Sequence, residues 1–136
     1  MNKKCQILNL KRTFFTNSHG LANNLNRSCA SDIAQIIDYA LRHKVFRTVV
    51  GTKVYECTVN QKKVRWENTH RLLHTKPDLY KGIKTGVTDP AGPCLASLVQ
   101  INGREFIIVV LNSKASKRRY KDTEILRKWV FKKEGI

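Results

Sequence analysis

Residues Gly82-Ile83-Lys84-Thr85-Gly86-Val87-Thr88-Asp89-Pro90-Ala91-Gly92-Pro93-Cys94-Leu95 decide how the rest of the chain is read. A Lys-Thr-Gly triplet precedes a Thr-Asp-Pro-Ala-Gly turn. Apolar, strand-like residues then run from Cys94 to Val99 and again from Phe106 to Leu111. Asn102-Gly103 lies between the two runs, and Asn-Gly in that setting is the strongest short-range signal of a β-hairpin. Lys84-Thr85-Gly86 is therefore expected on a strand beside this hairpin, with a glycine where a ligand or another backbone can come close.

Working outward, a helix is expected after Ser28, which suits an N-cap, with Asp32 in the first turn where negative charge favours the helix dipole. Ile33, Ile36, Ile37, Ala40 and Leu41 then repeat at helical spacing and give one apolar face. Arg42, His43 and Lys44 close the helix with positive charge. Val45–Val50 fits either a short helix or the approach to a strand, and Gly51 breaks it. Thr52–Val59 and Lys63–Trp66 are β-rich runs around Asn60-Gln61-Lys62 and predict a second hairpin. Asn68–Leu73 fits a short helical turn or a loop. At the far end, Ile125, Leu126, Trp129 and Val130 predict an amphipathic helix whose apolar stripe packs on the sheet. Helix, short strands, hairpin and closing helix together imply an α+β fold with an antiparallel sheet.

Composition narrows the classes. The 136 residues suit one domain, and 41% hydrophobic residues can build a core. No apolar run reaches the roughly 20 residues of a membrane helix. Residues 1–12 are expected as a basic leader, ordered only by contact with something else, and residues 13–136 as the domain. The start carries no apolar segment of the secretory kind, so an intracellular setting is expected. The formal net charge of +16 favours an acidic partner. A structural assembly with other protein chains, a cytoskeletal polymer or an acidic subunit, is preferred over RNA, because no nucleic-acid-binding motif is present. Cys5, Cys29, Cys57 and Cys94 contain no Cys-x-x-Cys pair, so reduced thiols are expected and a zinc site is not. His70 and His74 lack a third ligand in the pattern. His19 lies in a loop with Asn17 and Gly20, where a structural hydrogen bond is the expected role and a general base the alternative. No cofactor is implied.

The Lys84–Gly86 string resembles the Lys-Thr-Gly segment of the penicillin-binding serine D-Ala-D-Ala carboxypeptidases, relatives of the serine β-lactamases. Other stretches follow in the family's order. Phe15–Leu21 with Asn26, Ser28, Ala30, Asp32 and Ala34 resembles its Phe-x-Asn-x-x-Gly-Leu loop and following helix. Ala40–Val50 with Thr52 and Tyr55, then Trp66–Leu73, look like the next helix, strand and Asn-Thr-Asn-x-Leu-Leu element. Arg119, Asp122 and Trp129 also fall on the pattern. The resemblance spans about residues 13–131 and implies part of a β-lactamase/transpeptidase-like fold.

One departure bears on function. Enzymes of that family use Ser-x-x-Lys, where serine attacks and lysine helps remove its proton, and Ser-x-Asn. Neither motif occurs in these 136 residues. The resemblance starts at the second half of the family domain. By this analogy Lys84 places positive charge near a substrate carboxylate, Thr85 donates a hydrogen bond to it, Gly86 lets substrate lie along the strand, and the Val87 N–H is one oxyanion donor. The same four residues also suit a strand that needs a threonine and a close-packing glycine for structure alone. No catalytic residue is assigned. The expected function is a non-catalytic relic of the carboxypeptidase domain serving as a basic structural or binding subunit. The alternative is one half of a split enzyme whose Ser-x-x-Lys half comes from another chain.

Overall fold

The computed structural model describes residues 1–136. In chain order it contains α1 (Asn2–Ile7), α2 (Ala30–Leu41), α3 (Lys44–Gly51), β1 (Val54–Val59), β2 (Lys62–Glu67), α4 (Arg71–Thr75), β3 (Tyr80–Thr88), β4 (Gly92–Ile101), β5 (Arg104–Val110) and α5 (Arg118–Glu134). β3, β4 and β5 form an antiparallel sheet in that order, and β1 pairs with β2 in a separate hairpin. The expected α+β arrangement with flanking helices and a terminal helix is what the chain adopts.

Turn chemistry accounts for both hairpins. Asn102 and Gly103 have φ of 50° and 73°, the double positive-φ turn that matches the twist of the flanking strands. Asn60 and Gln61 repeat this with φ of 47° and 64° between β1 and β2. The ambiguous Val45–Val50 stretch is helical, inside α3, and Arg71–Leu73 opens α4.

The sheet is covered on both faces. On one, Ile37 and Leu41 of α2 pack with Ile83, Ala96 and Leu98, and α3 adds Phe46 and Val50. On the other, Leu72, Tyr80, Val99, Ile108 and Phe131 form a second cluster under α4 and α5. The alternation along β4 explains this, since successive side chains face opposite ways and Leu95 to Val99 are all buried.

Four expectations are corrected. Residues 1–12 are ordered by their own contacts: α1 buries Cys5, Leu10 is buried beyond it, and the Asn2 amide both accepts from Phe15 N and donates to Phe15 O. Ser28 does not cap α2. Cys29 occupies that position, while the Ser28 hydroxyl meets Thr13 Oγ1 at 2.8 Å. Asp32 lies in the first turn as expected, yet it is buried and accepts from Thr13 Oγ1 and Arg12 N, which ties the amino-terminal segment down. Finally, the α5 stripe faces the wrong way for packing. Ile125, Leu126 and Trp129 are exposed, and the sheet-facing side is built from Thr123, Phe131, Arg119 and the half-buried Val130. Helical spacing shows that apolar residues share a face but not which face meets the sheet. His43 is also not a helix terminus in isolation, because it sits at the N-cap position of α3 directly after α2.

Candidate functional site

Lys84, Thr85, Gly86 and Val87 all lie on β3, opposite Ala96, Leu95, Cys94 and Pro93 of β4. β3 is an outer strand, so one of its backbone edges is open. Two features hold it in place. An irregularity in register between Tyr80 and Ile83 turns the strand. At Gly82, φ is 100° and the backbone presses against α3, where an added Cβ would sit 2.0 Å from Val50 O. Only glycine satisfies both conditions.

Gly86 is the opposite case. A Cβ built there meets nothing within 4 Å, so the strand presents open ground at this residue. Lys84 is exposed and has no carboxylate partner; its ammonium group donates to Thr85 O. Thr85 is buried, and its hydroxyl lies 2.6 Å from Thr69 Oγ1. When Thr69 donates in this pair, the Thr85 proton stays free to point at a ligand. The Val87 side chain is exposed.

Behind the strand, Arg119 reaches from the first turn of α5. Its Nη1 donates to Gly86 O at 3.1 Å and Cys94 O at 3.2 Å, clasping two paired residues of β3 and β4. It is 9% exposed, makes no ion pair, and its Nε is the one buried side-chain polar atom without a partner. Lys84 and Arg119 therefore leave positive charge along this stretch without a nearby neutralising carboxylate. Such an arrangement is suited to holding an anion.

His70 anchors the segment that carries Thr69. It is fully buried at the N-cap of α4, where Nδ1 accepts from Leu73 N and Nε2 contacts Ser97 Oγ at 2.9 Å. Burial pushes its pKa down to about 4, which keeps the imidazole neutral. His74 instead bonds to Asn68 O. In the first loop, His19 Nδ1 accepts from Leu21 N, a structural bond of the expected kind. No three His, Cys, Asp or Glu side chains converge as a metal site.

The serines are all engaged elsewhere or solitary. Ser97 is fully buried against His70, Ser113 donates to Asp122, Ser28 pairs with Thr13, and Ser31 pairs with Cys29. None of them is hydrogen-bonded to a lysine or to Thr85. The site is thus an open ledge with a threonine hydroxyl and unneutralised cations. Two depressions lined by residues of α2 and β5, among them Asp38 and Ile107, do not include the residues of the ledge. Sequence reading singled out the ledge but missed Thr69 and His70 as its supports, because a side-chain pair across sixteen residues leaves no local pattern.

The chain that carries this ledge has relatives in sequence and in fold. The D-alanyl-D-alanine carboxypeptidase family model matches residues 1–115. Among solved structures, the Streptomyces K15 DD-transpeptidase superimposes with a TM-score of 0.89 at 30% identity, over 96% of this chain and 52% of that one. Penicillin-binding protein 5 from Haemophilus influenzae gives 0.83 at 30% identity, over 96% and 37%. The D-alanyl-D-alanine carboxypeptidase DacF of Bacillus subtilis is 33% identical over 120 residues, 88% of this chain and 31% of its own length. DacC of Escherichia coli is 34% identical over 97% of this chain and 32% of its own. The chain belongs to the D-alanyl-D-alanine carboxypeptidase family. It spans about a third to a half of the length of the relatives it matches, so it holds part of a carboxypeptidase domain.

Proposed function

We propose that these residues form a non-catalytic derivative of the carboxypeptidase domain, used as a basic structural or binding component of a larger assembly. The observation that carries this reading is the neighbourhood of Thr85, whose hydroxyl meets Thr69 rather than a serine activated by a lysine. Acyl transfer by a serine needs a nucleophile, a base within hydrogen-bond reach, and donors aimed at the oxyanion. Losing the nucleophile of a comparable hydrolase costs on the order of 10⁶ in turnover. The net charge of +16 supports an acidic partner, a cytoskeletal polymer or an acidic subunit.

A second reading is one half of a split carboxypeptidase. It is favoured by the ledge itself: Lys84 is unpaired, Gly86 is open, and the Thr85 hydroxyl is held by Thr69. In that case Lys84 and Thr85 would hold a substrate carboxylate. Gly86 would let the peptide lie along β3, and Val87 N–H would be one oxyanion donor. Labelling with a fluorescent penicillin separates the two. The first reading expects no labelled band, on this chain or on anything that co-purifies with it. A labelled co-purifying chain that loses its label when Lys84 is changed would establish the second.

A further inference from the structure

The stripe that α5 turns away from the sheet has no role in the ledge. Ile125 is 56% and Trp129 58% exposed, and Leu126 is exposed beside them. Between and around them stand Lys121, Lys128, Lys132 and Lys133, all exposed, beside the ion-paired Arg118. Lys133 Nζ lies 5.1 Å from the Trp129 ring centre. Of the helix's three carboxylates only Asp122 lies on this face, where it neutralises Arg118 and leaves the lysines unpaired. Glu124 is turned to Lys76, Tyr80 and Arg127, Asp122 is held by Ser113 and Arg118, and Glu134 pairs with Arg104.

We propose that the outer face of α5 is a docking surface for an acidic protein surface. Two properties choose this occupant. The face is cationic without free carboxylates, so a complementary partner brings acidic groups. Its apolar residues are also interleaved with cations. At 100° per residue, Lys132, Ile125, Arg118, Trp129, Asp122, Lys133 and Leu126 follow one another around the helix, with Asp122 paired to its neighbour Arg118. A helix that lies in a bilayer segregates its apolar side from its charges. A protein interface instead sets an aromatic anchor among charges that meet partners at its rim. The proposal rests on the reading of the chain as a binding component and names the face that binds.

The test uses the full chain and three probes: poly-L-glutamate, vesicles of phosphatidylcholine with phosphatidylserine, and a homopolymeric RNA. Two triple variants carry the same charge change. K121E/K128E/K132E lies on α5, and K53E/K62E/K63E lies on and beside the β1–β2 hairpin. Circular dichroism checks that each variant folds. The expected result is that the α5 variant loses poly-L-glutamate binding by about tenfold or more, while the hairpin variant stays within about threefold of the parent. Trp129→Ala weakens binding several-fold with the salt dependence unchanged, because it removes contact area and not charge. Equal losses in both triple variants overturn the proposal, since diffuse charge then suffices. So do tighter binding to vesicles or RNA at matched charge concentration, and a self-dimer in size exclusion that Trp129→Ala dissolves. Equal losses leave the non-catalytic reading standing. A penicillin-labelled partner overturns that reading without deciding which face of α5 is used.

Discussion

Gly82 and Gly86 sit four residues apart on β3 under opposite constraints. At Gly82 a methyl group collides with the Val50 carbonyl and the backbone is already at φ 100°. Gly82→Ala should cost roughly 3 kcal/mol or more and show as a large drop in the denaturant midpoint. At Gly86 the same change meets open space. Gly86→Ala should therefore fold with a penalty below about 1 kcal/mol, and a larger loss would mean that the ledge is not open. His70 makes a separate prediction. Its pKa is about 4 in the folded state against an ordinary 6.5. Between those values the unfolded chain binds a proton that the native state excludes, so stability is full above about pH 6.5 and falls as pH drops toward 4. The loss should approach about 3 kcal/mol, measured by urea unfolding at pH 7 and pH 4.5. His70→Gln, which can still bridge Ser97 and Leu73, should flatten that window. Of these residues, only Gly86 was legible in the chain as a place of close approach. His70 was noted only beside His74, with no metal site assigned and no other role, because nothing local signals a side chain that caps α4 and reaches β4.

At the scale of elements, α5 carries the clearest lesson. Its inner side holds Glu124 against Lys76, Tyr80 and Arg127, linking α4, β3 and α5. Burial alone would raise the Glu124 pKa, but hydrogen bonds from Lys76, Tyr80 and Arg127 prevail and lower it to about 2. A lowered carboxylate pKa stabilises the fold above its ordinary value of 4.5 and loses that contribution as pH falls toward 2. Glu124→Gln should cost about 2 kcal/mol at pH 7, read as a fall in thermal midpoint, and should shrink the loss of stability below pH 4.5, where Asp32, Glu105 and Asp122 with lowered pKa still contribute. Breaking Tyr80→Phe as well should add little, because the two share one network. The hairpins were readable because positive φ at Asn102-Gly103 is a local demand. The orientation of α5 was not, because its buried side contains Thr123, Arg119 and Glu124, residues that look solvent-facing until their tertiary partners are known.

For the whole molecule, the sheet has two outer strands of different character. β5 keeps an unbroken register with β4 from Leu95–Val110 to Ile101–Arg104, whereas β3 is bent near Tyr80 and crowded by α3. Binding to acidic probes should weaken steeply as salt rises from 50 to 200 mM, since the attraction is carried by exposed cations. Titration by fluorescence anisotropy checks this, and indifference to salt would remove charge from the explanation of any binding seen.

The chain by itself determined its family, its α+β class, both hairpins and a strand at Lys84–Val87, because each rests on residues close together in sequence: a Lys-Thr-Gly string, turns at Asn60-Gln61 and Asn102-Gly103, a helical repeat in α2. Only the tertiary structure decided what stands behind and beside them. It placed Thr69 against Thr85, Arg119 beneath Gly86 and Cys94, and Ser97 against His70. It also turned the apolar side of α5 outward. Those outcomes depend on which surfaces meet across tens of residues, and pairwise burial of that kind is set by packing the whole sheet at once rather than by any local preference.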